Sequence, residues 1–131
     1  MYNKYNILLA LMGLEIGGAE THVVELAKGL KREGFNVIVA SNGGVYEKEL
    51  LENGIKHYHV PLHNKKPHNV FKSYTLLKNI ITREKIDLVH AHARIPAFIC
   101  NRLHIKMGFP FVTTAHWVFK TGWGLKYITR W

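Results

Sequence analysis

Gly13-Leu14-Glu15-Ile16-Gly17-Gly18-Ala19-Glu20 stands where an apolar run, Ile7 to Met12, hands over to a stretch with helical periodicity. A strand that turns through glycines into a helix exposes the unpaired N–H groups of the helix's first turn, at the positive end of its dipole. With no side chains in the way, an anionic group can approach that backbone closely, so the loop reads as phosphate-facing. The plainer alternative is a tight strand-to-helix turn that holds no ligand.

Outward from this loop one module recurs: an amphipathic helix, a glycine stop, then a short buried strand. Glu33-Gly34 leads into Phe35 to Ala40, Asn53-Gly54 into Ile55 to Val60, and Met107-Gly108 into Phe109 to Ala115. Glycine supplies the left-handed residue on which a helix ends and the chain turns back, and the β-branched content after it favours strand. Val23, Leu26, Ala27 and Leu30 fall at helical spacing, as do Val70, Tyr74, Leu77 and Ile81. Pro96 opens a further helix carrying Cys100, Leu103 and Met107. The strands Ile7 to Met12, Val37 to Ala40, Leu88 to Ala91 and Phe111 to Thr114 are nearly continuous apolar runs, which a sheet covered on both faces requires. The fold class that follows is α/β: a doubly wound, mainly parallel, Rossmann-like sheet flanked by helices. Pro61 to Asn69, with two prolines, reads as a surface loop, and Leu125 to Trp131 as the start of a helix.

A length of 131 residues fits one domain, and 47% hydrophobic with 21% charged residues is globular composition. Cys100 is the single cysteine, so an intrachain disulfide and a thiolate zinc cluster are excluded, and a reducing cytoplasm is the expected location. The inner face of the membrane is the alternative. The Ile7 to Met12 run is too short to span a bilayer and lacks the flanks of a signal peptide. Lys and Arg number 18 against 9 Asp and Glu, a formal charge of +9, and no acidic residue follows Asp87. Arg94, Arg102, Lys106, Lys120, Lys126 and Arg130 form a one-sign field suited to phosphates or anionic lipid, unless acids elsewhere compensate it. Trp117, Phe119, Trp123, Tyr127 and Trp131 lie among these cations, a mixture that suits a membrane interface or packing under another domain. No motif that reads a nucleic-acid groove is present.

In a doubly wound sheet, ligands bind beyond the carboxyl ends of the strands, where the crossover direction reverses. Three groups belong to that edge: the glycine loop, His90 to Arg94, and His116. The glycine spacing is not the dinucleotide fingerprint, Ala40-Ser41-Asn42 offers no carboxylate for a ribose, and no Lys-Ser or Lys-Thr makes a P-loop. His90 and His92 share one strand face, a spacing that suits either a metal or a polar pair positioning the loops; the second is favoured and no metal is expected. Arg94 can clamp a phosphate or carboxylate, or simply be solvated. Thr113-Thr114-Ala115-His116 ends a strand on a histidine with no partnering nucleophile.

Taken in order, Gly17-Gly18-Ala19-Glu20 with Val23-Val24-Glu25-Leu26-Ala27, then Gly34-Phe35-Asn36-Val37, Asp87-Leu88-Val89-His90-Ala91-His92, Gly108-Phe109-Pro110 and Thr113-Thr114-Ala115-His116, the chain resembles the N-terminal domain of retaining glycosyltransferases of the GT-B fold, family four. The resemblance covers essentially all of residues 1–131. It implies the acceptor-side half of an enzyme that moves a sugar from a nucleotide diphosphate donor to a glycan or lipid-linked acceptor. It implies that Gly17 and Gly18 face the donor diphosphate and that His116 lies by the transferred sugar, as the catalytic residue. Glu20, His92 and Arg94 then serve the acceptor or position the loops. No metal or cofactor is implied beyond the nucleotide sugar as co-substrate. The donor-binding second domain and its glutamate pair have no counterpart in these residues. The expectation is therefore a chain inactive alone: a truncated product, an excised domain, or half of a split enzyme whose partner chain supplies the second domain, able to self-associate through uncovered surface and to touch anionic membrane peripherally but not nucleic acid. The rival reading is a non-catalytic module for a phosphorylated sugar or anionic lipid headgroup.

Overall fold

A computed structural model of the chain describes residues 5–14, 18–114 and 128–130. The elements are β1 (Asn6–Ala10), α1 (Gly18–Arg32), β2 (Asn36–Ser41), α2 (Glu47–Glu52), β3 (Lys56–His59), α3 (Pro67–Arg83), β4 (Leu88–His92), α4 (Arg94–Met107), β5 (Phe111–Thr114) and β6 (Ile128–Arg130). The sheet order is β3-β2-β1-β4-β5-β6, with every pair parallel except β5 and β6. Leu9 sits in register between Val39 and His90, so β1 is central.

Alternation along the strands feeds two cores. Leu8 and Ala10 join Ile38, Val89 and Ala91 on the face covered by Leu77, Ile80 and Ile81 of α3 and Ile99, Cys100 and Leu103 of α4. Ile7 and Leu9 join Val37 and Val39 on the opposite face, under Val23, Val24 and Ala27 of α1 and Leu50 of α2. That is why the strands read as unbroken apolar runs: both sets of alternate residues are buried. The glycine stops are as expected, with φ of 100° at Gly34, 74° at Gly54 and 85° at Gly108, where a left-handed residue lets each helix end. At the opposite edge from the strand carboxyl ends, Asn6 donates to the carbonyls of Glu84 and Lys85 and accepts from Asn36, stitching β1 to β2 and to the turn before β4.

Four expectations are corrected. The strand within Ile55 to Val60 is not buried: β3 lies at the rim of the sheet, and only the flanking Ile55 and Val60 are inside. The loop after it is shorter, because Pro67 starts α3, its missing N–H costing nothing at the first position. The helix expected to open at Pro96 starts two residues earlier, at Arg94, with Pro96 still inside its first turn. Ile128–Arg130 is a strand antiparallel to β5, not helix; β-branched Ile128 and Thr129 pair with a rim that would otherwise leave its backbone groups open.

Candidate functional site

The order of the strands fixes where a ligand can lie. From β1 the chain moves through α1 to β2 on one side, and from β3 it returns through α3 to β4 on the other, so the crossover reverses between β1 and β4. The loops leaving those two strands diverge and open a cleft at their carboxyl ends. A cavity of about 550 Å³ lies there. Its wall is apolar, from Met12 after β1, Val70 of α3, and Ile95 and Phe98 of α4, and two cations, Lys65 and Arg94, stand beside it. Ala93 completes the lining.

Electrostatics favour an anion at this spot. Arg94 begins α4, whose first turn carries no acidic residue and whose N-cap makes no side-chain hydrogen bond. The positive end of that dipole adds to the two side-chain charges. Ala93 has φ 83° and ψ 168°, a conformation in which glycine is at ease and alanine is strained by about 1–3 kcal/mol. Backbone strain is thus held on the cavity wall, where β4 turns sharply into α4. Behind it, the His90 and His92 rings lie with centroids 4.1 Å apart, and His90 Nε2 is 2.6 Å from Thr114 Oγ1. His92 is buried, 1% exposed, so it supports the loop from within. Cys100 lies buried mid-helix, and burial pushes its thiol up to about 12, which leaves it no nucleophilic role.

Of the residues singled out in the sequence, Gly18 is the first residue of α1 and Glu20 lies half-buried in its first turn. Arg94 and Met12 line one cavity, so residues that follow β1 and β4 meet at the same edge of the sheet. Gly17 and His116 lie outside the described residues, as do the tail aromatics Trp117, Phe119, Trp123, Tyr127 and Trp131. Sequence reasoning missed Lys65, Val70 and Phe98 as wall residues and Ala93 as a strained one. Nothing local marks these, because Val70 and Phe98 meet only through the packing of α3 on α4. Among the described residues, no helix is long and apolar enough to cross a membrane.

Comparison with known proteins agrees with this geometry. The model of Glycosyltransferase Family 4 matches residues 16–131. The phosphatidylinositol N-acetylglucosaminyltransferase gpi3 subunit of Schizosaccharomyces pombe is 33% identical over 114 residues, 79% of this chain and 24% of that protein. A Homo sapiens subunit bearing the same enzyme name is 31% identical over 112 residues, 79% of this chain and 23% of its own length. The chain thus spans about a quarter of the length of the curated relatives it matches. Among solved structures, a glycosyltransferase from Rickettsia africae superposes with a TM-score of 0.73 at 28% identity, covering 92% of this chain and 32% of that one. MurG of Acinetobacter baumannii shares the fold, with a TM-score of 0.68 at 16% identity over 85% of this chain and 35% of its own. A doubly wound sheet, a cationic cleft at its switch point and this match along nearly the whole sequence lead to one conclusion: the chain belongs to Glycosyltransferase Family 4 and has the fold of a Rossmann-like half of a GT-B glycosyltransferase.

Proposed function

We propose that residues 1–131 form the acceptor-side domain of a retaining glycosyltransferase that moves a sugar from a nucleotide diphosphate donor to a lipid-linked acceptor. The observation that carries this reading is the cavity between β1 and β4, where an apolar wall meets Lys65 and Arg94. Such a surface suits a molecule with both hydrocarbon and phosphate, and the yeast and human relatives are named for transfer to phosphatidylinositol. A glycan acceptor would call for more hydrogen-bonding side chains than this wall offers. On this reading a second Rossmann-like domain, in the same polypeptide or a partner chain, grips most of the donor. Gly17 and Gly18 face its diphosphate, His116 stabilises charge developing at the transferred sugar, and Glu20, His92 and Arg94 serve or position the acceptor loops. Transfer needs no metal of its own.

Contact with the cytoplasmic face of an anionic membrane follows the same logic. Between α3 and α4 an apolar groove of about 680 Å³ is lined by Phe71, Tyr74, Phe98 and Ile105, with Arg102 and Lys106 at its margin. Phe71 and Ile105 are each 71% exposed. This surface adjoins the cleft through Val70 and Phe98, which line both.

The test pairs two measurements on the purified chain. Sedimentation with phosphatidylinositol-containing liposomes is expected to fall about fivefold in affinity for Arg94→Ala, the effect of one cation near such a surface, and further for Phe71→Glu. Calorimetric titration with uridine and guanosine diphosphates and their sugar conjugates then asks what the glycine loop holds, with Gly18→Val expected to abolish any saturable binding. In the assembled enzyme, His116→Ala is expected to lower turnover more than donor binding. Liposome retention unchanged by both substitutions would remove the cleft from lipid recognition. Lipid binding without turnover in the assembled protein would favour the non-catalytic module.

A further inference from the structure

Two strands away from the cleft, at the β2–β3 rim, three side chains that the transfer reading does not use converge. His57 and His59 project from the same face of β3, two residues apart, and Glu47 comes from the first turn of α2. Glu47 Oε1 lies 3.0 Å from His59 Nε2 and 3.8 Å from His57 Nδ1. All three donor atoms fall within 4.8 Å of one another. Ligands around a tetrahedral ion at about 2.0–2.2 Å stand about 3.3–3.6 Å apart, so small rotations of the exposed His59 ring close the set.

The surroundings are built as the surroundings of a metal ligand are built. The other nitrogen of His57, Nε2, is held 2.7 Å from Ser41 Oγ, which also accepts the Gly43 N–H at 3.0 Å. That fixes the ring and leaves Nδ1 toward Glu47, and Ser41 and the His57 side chain are both nearly inaccessible, 0% and 3% exposed. The second carboxylate oxygen of Glu47 accepts the Gly44 N–H at 2.9 Å, which leaves Oε1 for an ion. Gly43 makes room: a Cβ there would lie 2.3 Å from Glu47 Oε2 and 2.8 Å from His59 Cε1.

We propose that Glu47 Oε1, His57 Nδ1 and His59 Nε2 form a three-ligand site for a zinc-class divalent ion, which fastens α2 to the edge strand β3. Two imidazole nitrogens and one carboxylate suit borderline ions such as Zn²⁺ and exclude the all-oxygen preference of Mg²⁺ and Ca²⁺. On binding, His59 Nε2 turns from Glu47 to the ion, its ring neutral with the proton on Nδ1. His59 is 65% exposed at its side chain, so water completes the fourth position. The site goes beyond sugar transfer: its role is to pin the loop carrying Gly43, whose carbonyl accepts the Leu14 N–H at 3.0 Å beside the glycine-rich turn.

The untagged chain, stripped with chelator, is titrated with ZnSO₄ by calorimetry and with CoCl₂ by visible absorption. One ion per chain is expected, with the intensified visible bands of low-coordinate Co²⁺ and a rise in melting temperature that chelator reverses. His59→Ala, altering an exposed ring, and Glu47→Gln are each expected to weaken Zn²⁺ binding about 100-fold or more and to abolish the Co²⁺ bands. Ser41→Ala, which acts through His57, is expected to cost about 10–100-fold. Replacing the exposed His22, His63 and His68 together with Gln should leave the affinity unchanged. No saturable binding by the parent, equal affinity in His59→Ala and Glu47→Gln, or loss of binding in the triple replacement would each overturn the site.

Discussion

Gly43 and Gly34 both occupy backbone that L side chains avoid, with φ of 95° and 100°, yet they answer to different neighbours. Gly34 ends α1 with nothing within 4 Å of where a Cβ would lie, whereas a Cβ on Gly43 would displace the Glu47 carboxylate from the Gly44 N–H and from His59. Gly34→Ala is therefore expected to cost the left-handed strain alone, about 1–2 kcal/mol. Gly43→Ala should cost that plus the charged Gly44–Glu47 hydrogen bond, about 2.5–5 kcal/mol in all. Urea denaturation of the two variants in chelator decides it, and equal losses would mean that the carboxylate moves aside freely. Ala93 shows the converse, a strained residue where no glycine advertises the strain. Glycines announce themselves in a sequence, and an alanine at positive φ does not, because what holds it there is the surrounding packing of β4 and α4.

Between elements, a carboxylate ties the rim of the sheet to a helix end. Glu84, the C-cap of α3, accepts from the Tyr58 hydroxyl and from Lys56 Nζ at 2.9 Å, both on β3. These bonds, the Tyr58 one first, hold its carboxyl below the usual range. A depressed folded value means the stabilisation is full above the unfolded carboxylate value of about 4.3 and is lost as pH falls through the folded one. The urea midpoint of the parent should thus drop more steeply than that of Glu84→Gln as pH falls below about 4.3. Parallel slopes would mean that the tie contributes nothing. At this scale the sequence was largely legible: Gly34, Gly54 and Gly108 mark true helix stops, and Leu77 and Ile81 face the core as their spacing demands. The failures have one cause. Whether Lys56–His59 is central or at a rim, and whether Ile128–Arg130 joins a sheet, depends on partners distant in sequence, to which local periodicity is blind. The site divided likewise: Arg94 could be assigned to the ligand edge by topology, but the wall that Val70 and Phe98 build could not, since it exists only where two helices meet.

For the whole molecule, the central place of β1 governs assembly. Its partner β2 follows within one helix, but its other partner β4 comes much later, with Asn6 donating to Asp87 across 81 residues. Non-local parallel pairing of this kind folds slowly, since a long loop must close before any contact rewards it. Chains arrested on the ribosome with Val60 just emerged should be cut by protease within residues 7–10, and those arrested with Thr114 emerged should resist. Equal protection at both lengths would show that β1, β2 and β3 make a stable unit without β4. At about 5–20 residues per second of synthesis, the flank of Leu8 and Ala10 that α3 and β4 will cover waits roughly 4–16 s for its neighbours. For that interval the nascent chain carries an open strand edge and a bare apolar face at β1, so its yield in a cell depends on what shields that strand while β4 is still being made.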